Sequence, residues 1–172
     1  MTAITSRTEE SEHGCPLQPA RTCRNQSETE RIAEALAEIA EPGDCYLLSG
    51  PIGAGKSVFA RSFIQARLRQ FGLYEEVPSP TYTLVQIYQA GPVQIWHSDL
   101  FRLNSPAEVT ELALQDAFPH AISLVEWPDR LGGLAPRDAV RIAFEHIDAA
   151  PGGRLLRFKH SSGRIGDCLR HA

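Results

Sequence analysis

The sequence predicts a single α/β domain with a mixed, mostly parallel central sheet flanked by helices. A short apolar run, Cys45-Tyr46-Leu47-Leu48, is followed at once by a glycine-rich turn and then by an amphipathic segment, the order of a buried strand, a loop and a helix. Further short runs rich in β-branched residues follow. At 172 residues and 42% hydrophobic content, the chain can bury one sizeable core, and a second full domain is not expected.

Composition and charge exclude several classes of protein. The formal net charge of −4 is not that of a broad basic surface, so any contact with RNA is expected to need a partner. No stretch approaches the roughly 18 apolar residues of a membrane span, and the N-terminus lacks a signal-peptide pattern. These features predict a cytoplasmic protein without a membrane partner. The four cysteines form no C-x-x-C pair, which favours free thiols.

The ends of the domain are predicted from polarity and helix-start signals. Residues 1–25 are polar without an apolar period, which indicates a disordered extension. A capping-box pattern at Ser27-Glu28-Thr29-Glu30 then predicts a helix, and Ile32, Leu36 and Ile39 follow at helical spacing. We expect the folded domain to span residues 26–160, with residues 161–172 as a C-terminal tail.

The middle of the chain predicts a helix, a loop and a hairpin in turn. Apolar residues after the glycine-rich turn have the spacing of a helix packed on a sheet: Val58, Phe59, Phe63, Ile64 and Leu68. Two prolines in Val77-Pro78-Ser79-Pro80 predict a loop. Residues 81–88 and 93–97 flank a Gly-Pro turn and predict a hairpin.

The last third of the chain predicts one helix and three strands. Ser105-Pro106-Ala107-Glu108 resembles a capped helix start with proline in the first turn. Residues 121–125 are a short apolar run that predicts a strand. Two further strands are predicted at residues 140–144 and 155–158, on either side of the Pro151-Gly152-Gly153 turn.

The clearest indication of function is the segment Gly50-Pro51-Ile52-Gly53-Ala54-Gly55-Lys56-Ser57. Glycine-rich backbone between a strand and a helix presents N–H groups and the positive end of the helix to phosphates. Lys56 can reach the β- and γ-phosphates, and the Ser57 hydroxyl can join the shell of Mg²⁺. A chance match occurs on the order of 1% of the time. The motif, together with the adjoining Val58, predicts a P-loop NTPase-like domain that binds ATP and Mg²⁺.

Two acids are candidates for the magnesium and for catalysis. P-loop enzymes use a carboxylate near a strand end to support the metal, and Asp99 and Glu126 each follow a predicted strand. One would coordinate the metal and the other orient the attacking water, but the sequence does not assign these roles. His97 could bond a phosphate or Asp99, although a lone histidine is more often structural, and Trp127 is more plausibly packing or a partner surface.

The Pro78-Ser79-Pro80-Thr81 segment supports two interpretations equally. Its hydroxyl-bearing, proline-stiffened backbone lies where switch loops commonly meet the γ-phosphate. It could equally be a rigid connector.

Four blocks together resemble the TsaE (YjeE) family: Gly53-Ala54-Gly55-Lys56-Ser57, Pro78-Ser79-Pro80-Thr81-Tyr82, His97-Ser98-Asp99-Leu100-Phe101-Arg102-Leu103 and Glu126-Trp127-Pro128-Asp129-Arg130. The resemblance covers about residues 27 to 145. It implies the ATPase component of the bacterial system that makes threonylcarbamoyladenosine on tRNA, with TsaB-like and TsaD-like partners. ATP hydrolysis would reset or activate the TsaB–TsaD complex, be weak in the isolated protein, and involve tRNA indirectly.

The same resemblance implies roles for individual residues. Lys56 would hold phosphates, Ser57 and Glu126 would serve the magnesium, and Asp99 would be an essential acid near it. Thr81 would lie in the switch-like loop. Thr29 matches a threonine near the nucleotide in the first helix of the family. The family more often has Thr at Ser57 and Asp-Leu at Pro51-Ile52, and the second departure affects the fine geometry of the loop.

Other classes of protein remain open. A small-molecule or nucleotide kinase shares the strand, loop and helix but usually needs an arginine-bearing lid, and Arg61, Arg67 and Arg69 look like an ordinary solvated face. A nucleotide-gated binding module with little hydrolysis differs from an ATPase only in degree. A GTPase is disfavoured because the sequence has no Asn-Lys-x-Asp segment that would recognise the guanine base.

Overall fold

A mixed sheet of seven strands forms the centre of the computed structural model, which describes residues 20–147 and 152–172. The strands are Arg21–Cys23 (β1), Cys45–Ser49 (β2), Val85–Ala90 (β3), Val93–Asp99 (β4), Ile122–Glu126 (β5), Val140–His146 (β6) and Arg154–Lys159 (β7). Their spatial order is β1-β7-β6-β2-β5-β4-β3. The strand that leads into the glycine-rich loop, β2, is therefore central.

Helices cover both faces of this sheet. They are Gln26–Ile39 (α1), Lys56–Arg69 (α2), Pro106–Glu111 (α3), Leu114–Ala117 (α4) and Gly163–His171 (α5), with a kinked 3₁₀ segment at Pro128–Leu134. α1, α2 and α5 share one hydrophobic core with the sheet, whereas α3, α4 and the 3₁₀ segment share the other. Within the described residues, no helix combines the length and apolar character needed to cross a membrane.

The predicted α/β fold with a mixed sheet is confirmed. β6, β2, β5 and β4 run parallel to one another, and the three outer pairings, β1–β7, β6–β7 and β3–β4, are antiparallel. β2 is buried on both faces: Tyr46 and Leu48 face the α1–α2 core, and Cys45 and Leu47 face the opposite core. This burial explains its continuous apolar run.

The predicted hairpin is present, with a later start than its sequence pattern indicates. β3 and β4 pair across a turn at Gly91 and Pro92, but β3 begins at Val85. Residues 81–84 form a turn closed by the Leu84 N–H on the Pro80 carbonyl at 2.7 Å. The two strands predicted at residues 140–144 and 155–158 are present as β6 and β7 and pair in antiparallel orientation, while Pro151 of the turn between them lies outside the described residues.

The N-terminal boundary differs from the prediction. β1 forms within the stretch predicted to be disordered and pairs with β7, while residues 1–19 lie outside the described residues. Asn25, not Ser27, caps α1, because its Oδ1 accepts from the Glu28 N–H at 3.1 Å. Glu28 in turn accepts from the N–H of Arg24, the residue before the cap, at 2.8 Å. The cap therefore lies two residues earlier than the sequence pattern predicts.

The C-terminal segment is a packed helix and not the predicted tail. Ile165 and Leu169, one turn apart on α5, are buried against the α1 side of the sheet. Arg164 binds both carboxylate oxygens of Asp44 at 2.9 and 3.0 Å and also donates to the Ile39 carbonyl. This two-point ion pair and a short apolar face hold α5, and neither produces a long helical period in the sequence.

Candidate functional site

The carboxyl ends of the central strands bring the predicted site residues together. In the parallel register, Glu126 lies opposite both Leu48 on β2 and Asp99 on β4. A cavity of about 340 Å³ opens at this edge. Its lining residues are Ile52, Gly53, Gly55, Lys56, Ser57, Val58, Thr81, Asp99, Phe101, Glu126 and Trp127.

The glycine-rich loop joins β2 to α2 in a conformation that requires glycine at two points. Gly50 has φ of 136°, and a Cβ there would lie 2.4 Å from the Phe144 carbonyl oxygen. Gly55, the residue that precedes α2, has φ of 103° and provides no side-chain cap. The first N–H groups of α2 are thus left for another acceptor at the helix N-terminus.

Lys56 is folded back over this loop. Its side chain is buried, and Nζ donates to the carbonyls of Gly50 at 2.7 Å and Pro51 at 2.8 Å. Burial lowers the pKa of Lys56 from its ordinary value, while the nearby carboxylates of Glu126 and Asp99 partly oppose that shift. The two carbonyl bonds therefore fix the position of the Lys56 amine at the loop.

Glu126 connects the loop to the strand beside it. Its Oε2 accepts from the Ser57 hydroxyl at 2.9 Å, and its Oε1 lies 3.0 Å from Nε2 of His97. Both members of the His97–Glu126 pair are almost fully buried. Each carboxylate oxygen is fixed by a separate partner, so the Glu126 side chain is pre-positioned beside the Ser57 hydroxyl.

Asp99 connects the cavity to the proline-containing loop. Its Oδ2 accepts from the Thr81 hydroxyl at 2.7 Å, and its Oδ1 accepts from the Phe101 N–H at 3.0 Å. The Thr81 hydroxyl also lies 2.9 Å from that of Ser79. Asp99 is 4% exposed, so the loop is anchored to a buried carboxylate.

A profile of the family described as threonylcarbamoyl adenosine biosynthesis protein TsaE matches residues 23–154. The chain belongs to the TsaE family. The tRNA threonylcarbamoyladenosine biosynthesis protein TsaE of Rickettsia conorii is 35% identical over 127 residues, which cover 74% of this chain and 71% of that protein. Its Bacillus subtilis counterpart is 32% identical over 122 residues, covering 70% and 73%.

The fold of the chain is also that of a solved structure. The crystal structure of YdiB from Bacillus subtilis superposes with a TM-score of 0.68, covering 92% of this chain and 96% of that one at 23% identity. At this identity the likeness concerns the fold. The TsaE family resemblance inferred from four short blocks is confirmed over most of the described chain.

Most of the residues predicted for the nucleotide lie at the cavity. Four of them do not line it: Gly50, Pro51, Ala54 and Thr29. Gly50 and Pro51 supply the carbonyls that hold Lys56, whereas the Ala54 side chain lies in the core. Thr29 is buried on α1, and its role near the nucleotide in this TsaE family member stays a prediction.

Two side chains have contacts that the sequence reasoning did not identify. His97 contacts Glu126 and not Asp99, the protein partner that the sequence suggested. The Trp127 ring lies 4.1 Å from Lys56 Nζ and 4.9 Å from the ring of Phe101. Trp127 has a left-handed backbone at φ 60°, which turns the chain directly after Glu126. The aromatic residues that follow Asp99 and Glu126 in the sequence were the available signal for the second contact.

The cavity residues suit a magnesium ion that is bound together with phosphate. Mg²⁺ prefers oxygen ligands and usually retains water, with one or two carboxylates and substrate phosphates. Ser57, Glu126 and Asp99 offer one hydroxyl and two carboxylates at the cavity. Across residues 20–147 and 152–172, no group of three or more His, Cys, Asp and Glu side chains is arranged to hold a metal alone. The donor set therefore fits a metal completed by nucleotide oxygens.

Proposed function

We propose that this TsaE family member is a P-loop ATPase that supports threonylcarbamoyladenosine formation on tRNA by resetting or activating a TsaB–TsaD-like complex. The observation that carries the proposal is the Ser57–Glu126 hydrogen bond of 2.9 Å, formed directly beside the buried amine of Lys56. It joins a phosphate-binding loop to a strand-end carboxylate, the pairing that magnesium-dependent nucleotide hydrolysis uses.

ATP would bind with its phosphates over the glycine-rich loop. The N-terminus of α2 follows Gly55 and has no side-chain cap, so its N–H groups and helix dipole are available to the phosphates. Lys56 would exchange its present bonds to the Gly50 and Pro51 carbonyls for the β- and γ-phosphates. The energy of the new charge-assisted bonds offsets the loss of two bonds to neutral carbonyls.

Glu126 and Asp99 would have different roles in metal binding and catalysis. Mg²⁺, when bound, would neutralise charge on the β- and γ-phosphates. Glu126 would hold the metal side of the site with Ser57, because these two groups already contact each other. Asp99 would be the essential acid that couples catalysis to the loop, because it already holds Thr81.

The proline-containing loop would act as the switch in this ATPase. Thr81 lies at the cavity and bonds Asp99, so an arriving γ-phosphate competes for the same hydroxyl. Movement of Thr81 would release Ser79 and the turn at residues 81–84 that precedes β3. This is how the nucleotide state would be passed to a partner protein.

The partners would be TsaB-like and TsaD-like proteins, with tRNA engaged through the complex. The family description and the names of the relatives support a role in this modification, and the acidic net charge of −4 argues against unaided tRNA binding. A cytoplasmic location without a membrane partner is part of the proposal. Hydrolysis would be slow in the isolated protein and faster with its partners.

The experiment is a measurement of magnesium-dependent ATP hydrolysis by the full chain, alone and with matching TsaB and TsaD proteins and tRNA. We expect the partners to raise the rate, and we expect Lys56→Ala to abolish that rise. Equal turnover with and without partners would contradict the tRNA-modification role. A phosphorylated small-molecule product would instead favour a kinase, and partner affinity that changes with ATP but without hydrolysis would favour a nucleotide-gated binding module.

A further inference from the structure

One face of the sheet has no helix over it at β6 and β7. Side chains alternate between the two faces of a strand, and apolar residues of both strands, such as Ile142 and Phe158, lie in the core beneath α1 and α2. Among the described residues, neither strand contributes to the second core, which α3, α4 and the 3₁₀ segment share. The residues between the core positions therefore form an open face: Arg141, Ala143, Glu145, Leu155, Arg157 and Lys159.

Two neighbouring cations on the open face lack an acidic partner. Arg141 lies directly opposite Lys159, a geometry that places the two Cβ atoms about 5 Å apart. Both side chains are exposed, and within the described residues neither forms an ion pair. Asp138, which lies just before β6, is exposed and is in none of these ion pairs. Like charges opposite each other are unfavourable, so the pair favours an anionic group above it.

The single acid of the open face is already engaged. Glu145 accepts a hydrogen bond from Nε of Arg157 at 2.7 Å. The remaining two residues of the open face, Ala143 and Leu155, are partly buried and uncharged. The carboxylates that Arg141 and Lys159 favour must therefore come from outside the two strands.

The part of the chain that precedes β1 has the complementary charge. Residues 1–19 include three glutamates and one arginine, and the glutamates fall within four positions, Glu9-Glu10-Ser11-Glu12. We call these four residues the acidic segment. Both the acidic segment and Lys159 lie outside residues 23–154, which the family profile matches.

The path of the chain brings the acidic segment to the correct end of the sheet. β1 is antiparallel to β7, and its first residue, Arg21, lies opposite Leu156. The chain therefore enters β1 from the end of β7 at which Lys159 lies. Glu12 precedes Arg21 by nine residues, which span at most about 30 Å, whereas β6 lies two strand spacings, about 10 Å, from β1. Arg141 and Lys159 are thus within reach of the acidic segment.

We propose that the acidic segment docks on the open face, with its carboxylates on Arg141 and Lys159. A single exposed ion pair contributes little free energy, but a short tether gives the acidic segment an effective concentration in the millimolar range. The docked segment would cover cations that a separate acidic protein or RNA would otherwise contact. This inference is independent of the nucleotide site.

The test is zero-length cross-linking of amines to carboxylates with a carbodiimide. Lys56 and Lys159 are the two lysines of the chain, and Lys56 is buried at the glycine-rich loop, so Lys159 is the exposed lysine amine. The full chain is cross-linked at low salt, separated as monomer, digested with trypsin and analysed by mass spectrometry. We expect an amide bond between Lys159 and a glutamate of the acidic segment.

Two variants and a salt series separate docking from mere proximity. Arg141→Gln keeps the Lys159 amine but removes the charge beside it, so the yield of the cross-link should fall about two- to fivefold. Arg69→Gln is the matched control, because Arg69 is an exposed, ion-paired cation on α2, on the other face of the sheet, and its loss should leave the yield unchanged. Raising the salt from about 0.01 M to 1 M shortens the Debye length from about 30 Å to about 3 Å and should lower the yield at least as much as Arg141→Gln.

Four outcomes would overturn the inference. One is the absence of a cross-link between Lys159 and residues 1–19 in the unmodified chain. Another is a yield that neither salt nor Arg141→Gln changes, because the tether alone would then bring the two groups together. A cross-link that joins isotope-labelled to unlabelled chains would assign the open face to a second copy. Protection of Lys159 from acetylation by added tRNA, without any cross-link, would assign it to RNA.

Discussion

The two sides of the glycine-rich loop differ in how their charged side chains are paired. Towards β5 and β4, each oxygen of Glu126 and of Asp99 has its own partner. Towards β6 and β7, the buried Arg154 Nη1 has no partner among the described residues. The two carboxylates of the acidic side are thus held in place by protein groups alone, while the basic side holds a buried guanidinium nitrogen without a partner among the described residues.

This difference separates two requirements of a nucleotide site. Groups that act on developing charge must be fixed before the reaction, because reorganisation during the reaction costs free energy. A group that recognises the substrate gains more if its bond forms only on binding. The contrast predicts that changes on the acidic side affect rate and fold stability, whereas changes on the basic side affect affinity.

The largest expected effect is on hydrolysis and comes from Glu126→Gln. The amide keeps the shape of the side chain but removes its charge beside Ser57, so we expect the partner-stimulated rate to fall about 100-fold or more. ATP affinity should change only a few fold. Single-turnover hydrolysis and calorimetric ATP binding measure the two quantities separately. A loss of affinity as large as the loss of rate would place Glu126 in ground-state binding instead.

A second effect concerns fold stability and comes from the buried His97–Glu126 pair. His97→Ala would leave Glu126 Oε1 buried without its partner, which costs about 2–4 kcal/mol in the free energy of unfolding. The exposed Arg157–Glu145 pair is the control, and Arg157→Ala should cost at most about 1 kcal/mol. Urea unfolding of each variant measures both. Similar costs for the two would show that His97 does not hold the acidic side together.

A smaller effect tests how the loop is fixed to the β6–β7 side. In Gly50→Ala the new Cβ would meet the Phe144 carbonyl oxygen at 2.4 Å, whereas in Gly53→Ala it would meet nothing within 4 Å. Both residues have positive φ, which alone costs about 1 kcal/mol. Gly50→Ala should therefore lower the unfolding free energy by about 1–3 kcal/mol more than Gly53→Ala. Thermal or urea unfolding decides, and equal costs would contradict the close approach to Phe144.

Local patterns in the sequence predicted the parts of the site that depend on neighbouring residues. The loop from Gly50 to Ser57 and its flanking strand and helix are one contiguous unit with a known geometric requirement. Asp99 and Glu126 could be chosen as candidates because each follows a predicted strand, and ends of parallel strands meet at one edge. The register of β4 on β5 confirms that they lie side by side.

Contacts that depend on strand order could not be predicted in this way. His97 faces Glu126 only because β4 and β5 are neighbours, and Arg154 reaches Gly55 only because β7 folds back beside β6. The packing of α5 depends on the Arg164–Asp44 ion pair, which joins distant segments. The sequence could not decide between Asn25 and Ser27 as the N-cap of α1, because Asn and Ser side chains both accept hydrogen bonds from the first N–H groups of a helix.

The most direct test is a calorimetric titration of the full chain with ATP in the presence and absence of magnesium, with Lys56→Ala as the matched variant. The amine of Lys56 donates to two loop carbonyls and lies over the Trp127 ring. These contacts lie at the cavity and not in the two cores, so removal of the side chain should spare the fold while it removes the phosphate-binding charge. We expect saturable, magnesium-dependent binding by the unmodified chain and a loss of about 100-fold or more in affinity for Lys56→Ala. Absence of ATP binding by the unmodified chain, or equal affinity in the variant, would contradict the assignment of this cavity as a nucleotide site.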